Sequence, residues 1–162
     1  MEIQNLSAFY REHQIEFNQL EINKESNAYS ACSFSLDSKN VVYRKANSTP
    51  KKIGQFVAIW KRNEEGETAP YHEKDDLDFL IIAVETDSNS GHFIFSKQIL
   101  LEKGIISNEK KSGKRGIRVY PSWDVVTSKQ AMKTQEWQLR CFIDFNNIEQ
   151  QELNSLKKLL TL

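Results

Sequence analysis

The chain has 162 residues and a mass of 18.8 kDa, with 39% hydrophobic and 27% charged residues and a formal net charge of +0. That apolar content excludes a disordered chain, and the length excludes two sizeable domains, so residues 1–162 are expected to form a single domain. Zero net charge excludes a globally basic protein, and no apolar run reaches the length of a membrane helix.

Residues 6–22 carry apolar side chains at Leu6, Phe9, Tyr10, Ile15, Phe17, Leu20 and Ile22. The spacing is partly helical, with Ser7 as candidate cap. Residues 29–36 alternate small polar with apolar side chains, 37–40 read as a turn, and 41–43 are β-branched and aromatic; together they predict a hairpin. Residues 54–60 predict a third strand, with Phe56 on the face opposite Val57 and Ile59. Residues 63–76, acidic and carrying Gly66 and Pro70, are expected to be loosely ordered. Residues 77–84 are almost continuously apolar, as in a strand buried on both faces, and are expected to be the central strand. A turn at 87–91 leads to a fifth strand at 91–95. Ser96 opens a short helix over 97–103 that Gly104 ends. Residues 116–120 predict a strand stopped by Pro121. Residues 129–142 predict a helix with Met132, Gln135 and Leu139 on one face, and 148–160 an amphipathic helix. Strands first and helices later predict an α+β fold: a central mixed, mostly antiparallel sheet of about five to six strands flanked by helices.

The neutral total conceals blocks of charge. Lys39, Arg44, Lys45, Lys51, Lys52, Lys61 and Arg62 are the charged residues of one stretch, all positive. Residues 63–87 are acidic apart from Lys74, and Lys110, Lys111, Lys114, Arg115 and Arg118 make a second basic stretch. Loops 47–54 and 110–116 mix cations with Ser, Thr and Gly, a combination that suits phosphate oxygens. The candidate nucleic-acid-binding residues are therefore Arg44, Lys51, Lys52, Arg62, Lys114, Arg115 and Arg118, with Tyr43, Trp60, Tyr120 and Trp123 near enough in sequence to stack on bases. The plainer alternative is a solvated charged face over a core that takes the aromatics. Gln135 and Gln138 can read base edges or cap the sheet by hydrogen bonding.

Sites with stricter chemistry are not met. Residues 112–116 lack the spacing of a phosphate-binding Walker loop. His13, His72 and His92 have no metal spacing, and no metal site is expected. Cys32 and Cys141 lie far apart in apolar company. Together with a start that lacks the regions of a signal peptide, they predict a reduced, cytoplasmic protein. No cofactor is expected, save Mg²⁺ if the chain is a nuclease. The catalytic candidates are the carboxylates Asp76, Asp78, Glu85 and Asp87 at the two ends of the central strand. Such groups can hold Mg²⁺ for phosphodiester hydrolysis with Lys97 or Lys52 assisting. The element order is compatible with a restriction-endonuclease core, but Asp37-Ser38-Lys39 and Glu109-Lys110-Lys111 do not sit within strands as that chemistry requires.

Residues 49–62 (TPKKIGQFVAIWKR), 76–79 (DLDF), 91–95 (GHFIF), 100–106 (LLEKGII), 113–121 (GKRGIRVYP) and 134–138 (TQEWQ) together resemble the MepB family. The resemblance spans about residues 29–142. It implies a small bacterial cytoplasmic protein of a family with one member encoded beside a multidrug efflux pump and a MarR-type repressor. It also implies a restriction-endonuclease-like architecture and nucleic-acid binding. The function expected is non-enzymatic binding of DNA or RNA by a basic surface. The alternatives are a Mg²⁺-dependent nuclease and a protein-interaction module linked to drug-stress regulation.

Overall fold

A computed structural model describes residues 2–161; Met1 and Leu162, the ends of the expected domain, lie outside the described residues. Helix α1 (Ile3–Glu12) leads to strand β1 (Phe17–Ile22) and the hairpin of β2 (Cys32–Leu36) and β3 (Lys39–Lys45). A long crossover holds β4 (Asn47–Ser48), β5 (Gln55–Ala58), β6 (Lys61–Arg62) and β7 (Thr68–Ala69). The chain continues through β8 (Phe79–Glu85), β9 (Ser90–Ser96), helix α2 (Lys97–Glu102), β10 (Gly116–Val119), helix α3 (Lys129–Leu139), β11 (Phe142–Asp144) and helix α4 (Gln150–Leu160).

The main sheet is six-stranded, in the order β1-β2-β3-β8-β9-β11. Each pairing is antiparallel except β3 with β8, which is parallel. A parallel pair needs a crossover, and residues 46–78 provide it. Along β8, Phe79, Ile81 and Ala83 enter a core shared with Leu6, Tyr10, Leu156 and Leu160 of α1 and α4. Leu80, Ile82 and Val84 enter a second core with Val57 and Ile59, Ile117 and Val119, and Leu100. The continuous apolar run thus has a cover on each face. The second cover is a small sheet, β10-β5-β4, with α2 and α3 alongside it.

The expected α+β class and the central strand are as read, and several boundaries differ. The helix expected over 6–22 ends at Glu12. His13 caps it, Gln14 turns at φ 63°, and 17–22 pair with β2 as an edge strand. Leu20 and Ile22 supplied the helical spacing, yet they are 42% and 59% exposed; their pattern does not reflect burial. The helix expected over 129–142 ends at Leu139, and Phe142 instead opposes Phe93 in the main sheet. The strand expected over 54–60 leaves the main sheet, because its half-buried alternation suits a layer with one covered face. The hairpin turn narrows to Asp37 and Ser38, both at positive φ, a geometry that matches strand twist. Segment 63–76 is held by hydrogen bonds: β6 pairs with β7 around a turn closed by Asn63, and Asp75 closes a second turn onto His72. Ser96 caps α2 by accepting from the Ile99 N–H, and Gly104 follows at φ 66°.

His92 on β9 is buried, its ring edge-on to Tyr43 and Phe145. Burial penalises the imidazolium and pushes the pKa down to about 3 from the ordinary 6.5. The unfolded chain therefore binds a proton near pH 6.5 that the folded chain refuses. The associated stability is complete above pH 6.5 and is lost as pH falls toward 3, at a rate of at most about 1.4 kcal/mol per pH unit. Urea unfolding of the parent chain is expected to weaken more steeply between pH 6.5 and 4 than that of His92→Phe. Parallel pH profiles would contradict a neutral, buried imidazole.

Candidate nucleic-acid interface

Strands β5 and β10 run antiparallel, with Arg118 opposite Phe56 and Val119 opposite Gln55. Side chains alternate along β10: Ile117 and Val119 enter the core, while Gly116, Arg118 and the following Tyr120 face the other way. Helix α3 stands beside that outer face. Between them lies a cleft of about 540 Å³, lined also by Lys52 from loop 47–54, Lys114 from loop 110–116, and Lys103 and Ile105 after α2. The two basic loops of the sequence thus contribute to one concavity.

Hydrogen bonds to backbone hold the cleft open at a fixed width. Gln138 is buried; its Oε1 accepts from the Tyr120 N–H at 2.9 Å and its Nε2 donates to the Arg118 carbonyl at 3.1 Å. Gln135 donates to the carbonyls of Pro121 and Asp124, folding the turn after β10 onto the same helix. Both glutamines therefore secure α3 to the end of β10. Ser128 caps α3 by accepting from the Ala131 N–H. On the far side, Gly54 lies at φ 83° under the Tyr120 ring, where a Cβ would meet Tyr120 at 2.7 Å. Gly113 brings the second loop against residues 105–107, where a Cβ would lie 2.5 Å from the Ile105 carbonyl oxygen.

The cleft is uniformly positive: its lining includes Lys52, Lys103, Lys114 and Arg118 and no carboxylate. Among the described residues none of these four makes an ion pair. Elsewhere Lys45 meets Glu85, Lys61 meets Asp75, Arg62 meets Glu25 and Lys74 meets Glu109. Arg118 uses one Nη1 on the carbonyls of Ile53 and Gly54, and the Lys103 ammonium lies over the Trp137 ring, 5.3 Å from its centroid. Like charges converging without counter-charges raise the local potential and favour an anion.

The other residues expected at this face go elsewhere. Arg44 is not at the surface: it is 1% exposed on the inner side of β3, donating to the Tyr43 carbonyl and the Tyr71 hydroxyl. Strand alternation places it on the same face as Val42, hence in the core. Lys51 is exposed at φ 66° beside the cleft without lining it. Arg115 donates to the Thr68 carbonyl, and Arg62 pairs with Glu25 while covering the Trp60 ring, so both belong to the β6–β7 ribbon. Lys103, at the C-terminal cap of α2, was not among the expected contacts. A cation one residue before a helix-ending glycine reads as a helix terminus, and only the packing of α2 brings it here.

The carboxylates do not assemble. Asp76 accepts from the Asn40 side chain and Asp78 from the Asn40 N–H, at the start of β8. Glu85 pairs with Lys45 at its other end, roughly 20 Å away for a seven-residue strand, and Asp87 is exposed in the turn beyond. Lys97 donates to the Asp75 carbonyl. Among the described residues no group of three or more His, Cys, Asp or Glu is placed to share a metal ion. Burial pushes the Cys32 thiol up to about 11 and raises that of Cys141, which keeps both protonated. No helix is long and apolar enough to cross a membrane among the described residues.

The MepB-like family profile matches residues 23–144. The crystal structure of MepB superposes with a TM-score of 0.80 at 32% sequence identity, covering 91% of this chain and 100% of that one. A bacterial homing endonuclease aligns with a TM-score of 0.47 at 14% identity over 86% of this chain and 88% of its own, too distant a likeness to support a reading of activity. Among curated proteins none matches.

Replacing Gln138 with Ala leaves the Tyr120 N–H and the Arg118 carbonyl without their partner. We expect Gln138→Ala to lower the unfolding free energy by about 1–3 kcal/mol in urea titrations. Lys133→Ala on the exposed side of α3 should stay within about 0.5 kcal/mol. Equal effects would show that α3 is not held to β10 by this side chain.

Proposed function

The chain belongs to the MepB-like family, and from that premise we propose that it is a non-enzymatic nucleic-acid-binding protein whose basic cleft holds backbone phosphates. The observation that carries this reading is the convergence of Lys52, Lys103, Lys114 and Arg118 on one cleft without a carboxylate. A nucleic-acid strand supplies the missing negative charge, and displacement of its counterions adds a favourable, salt-dependent term. Lys52 and Lys114 are exposed and, among the described residues, their side chains make no hydrogen bond or ion pair, so their ammonium groups reach a phosphate without breaking one. Arg118, with one Nη1 anchored on loop 47–54, retains donors for a phosphate in a fixed orientation. Ser128 and Thr134 on α3 add hydroxyls along the opposite wall. A hydrolytic role finds no support in the carboxylates, which are divided between the two ends of β8 and engaged with Asn40 and Lys45.

Fluorescence anisotropy with labelled DNA and RNA across a salt series tests the proposal. Affinity should fall linearly with log salt concentration. The double variant Lys52→Ala/Lys114→Ala should bind more weakly and flatten the slope by roughly 1.4–1.8, two phosphate contacts' worth. Arg115→Ala should change affinity less, since that side chain faces the β6–β7 ribbon. Unchanged affinity in the double variant would overturn the assignment.

A further inference from the structure

We propose that the cleft is a nucleotide site, taking one nucleotide with its base against the indole of Trp137 and its phosphate among Lys52, Lys114 and Arg118. This rests on the phosphate-binding reading above and adds a base-binding wall to it. The cleft's size permits this and does not by itself single the cleft out: about 540 Å³ falls within the roughly 300–1,000 Å³ of small-molecule sites, as do other concavities of the chain. The support is the state of Trp137. Its ring packs on Phe95 of the second core, 5.3 Å between centroids, which fixes the indole. Another part of the ring lines the cleft, where the Lys103 ammonium lies over it. The electron-rich face of an indole attracts a cation, and Lys103 takes that place beside the cleft. Among the described residues no carboxylate holds Lys103, so a base can displace it from the ring, and the freed ammonium remains in the cleft that would take the phosphate. Phe56 and Tyr120 provide further apolar surface at the floor. An aromatic platform beside a cluster of unpaired cations is the pairing that a base joined to a phosphate requires.

Adenosine monophosphate is the probe, with adenosine lacking the phosphate and inorganic phosphate lacking the base as references. Calorimetric titration should show the monophosphate binding at least tenfold more tightly than either reference. Trp137→Phe keeps an aromatic ring against Phe95; it should weaken the monophosphate severalfold and leave inorganic phosphate unchanged. Saturating monophosphate should also release a bound, labelled oligonucleotide. Suppose the oligonucleotide binds in a salt-sensitive way that Lys52→Ala/Lys114→Ala weakens, yet ignores both the monophosphate and Trp137→Phe. The nucleotide site is then wrong and the phosphate contacts stand. Monophosphate binding without oligonucleotide binding upholds the nucleotide site and removes the strand-binding reading. Binding of neither removes both.

Discussion

Strand β8 carries apolar side chains on both of its faces, and each face needs a cover before the strand can leave water. Helices α1 and α4 cover one face; the small β10-β5-β4 sheet with α2 covers the other. Burying Ile81 and Ile82 completely, back to back, supplies a large part of the apolar driving force. It also dictates the parallel pairing with β3. The chain must leave β3, lay β4 and β5 over the second face, and return to enter β8 in the same direction. The crossover is therefore both the connection and half of the covering layer.

The cleft is a consequence of that layer. The three-stranded cover buries one side of β10 and leaves the other side facing out, so Arg118 and Tyr120 are presented while Ile117 and Val119 are consumed by the core. Helix α3 then closes the outer face at one edge, held by the reciprocal bonds of Gln138 to the backbone at residues 118 and 120. What collects in the resulting groove is charge of one sign. Proteins ordinarily offset such convergence with acidic neighbours, as this one does for Lys45, Lys61 and Arg62. Around Lys52, Lys103, Lys114 and Arg118 the groove's lining holds no such acidic neighbour, and that is the feature on which the proposed phosphate binding rests.

Local chemistry made part of this visible in advance. The unbroken apolar run of β8, a hairpin turn within 37–40, the Ser96 cap and the glycine after α2 all act within a few residues, and each appears where its pattern placed it. The failures also have local causes. Leu20 and Ile22 mimic a buried helical stripe while remaining exposed on an edge strand. Phe142 continues a helical spacing but reaches Phe93 only because β11 turns back onto β9. Arg44 was grouped with its basic neighbours, although period-two alternation from Val42 already set it on an inner face. Gln135 and Gln138, legible as either readers of bases or caps, are committed to backbone carbonyls and an N–H.

By itself the sequence determined the α+β class, the central strand, the short helix between Ser96 and Gly104 and the presence of two basic, glycine-bearing loops, because propensity, capping and periodicity are properties of neighbouring residues. Tertiary structure alone decided that Lys52 and Lys114 share a cleft while Arg62 and Arg115 turn to the ribbon, and that Lys103 joins them from the end of α2. Those placements depend on the register of β5 against β10 and on the docking of α3. Both are set by which buried faces fit together across dozens of residues of intervening chain, and a one-dimensional pattern carries no record of that distance.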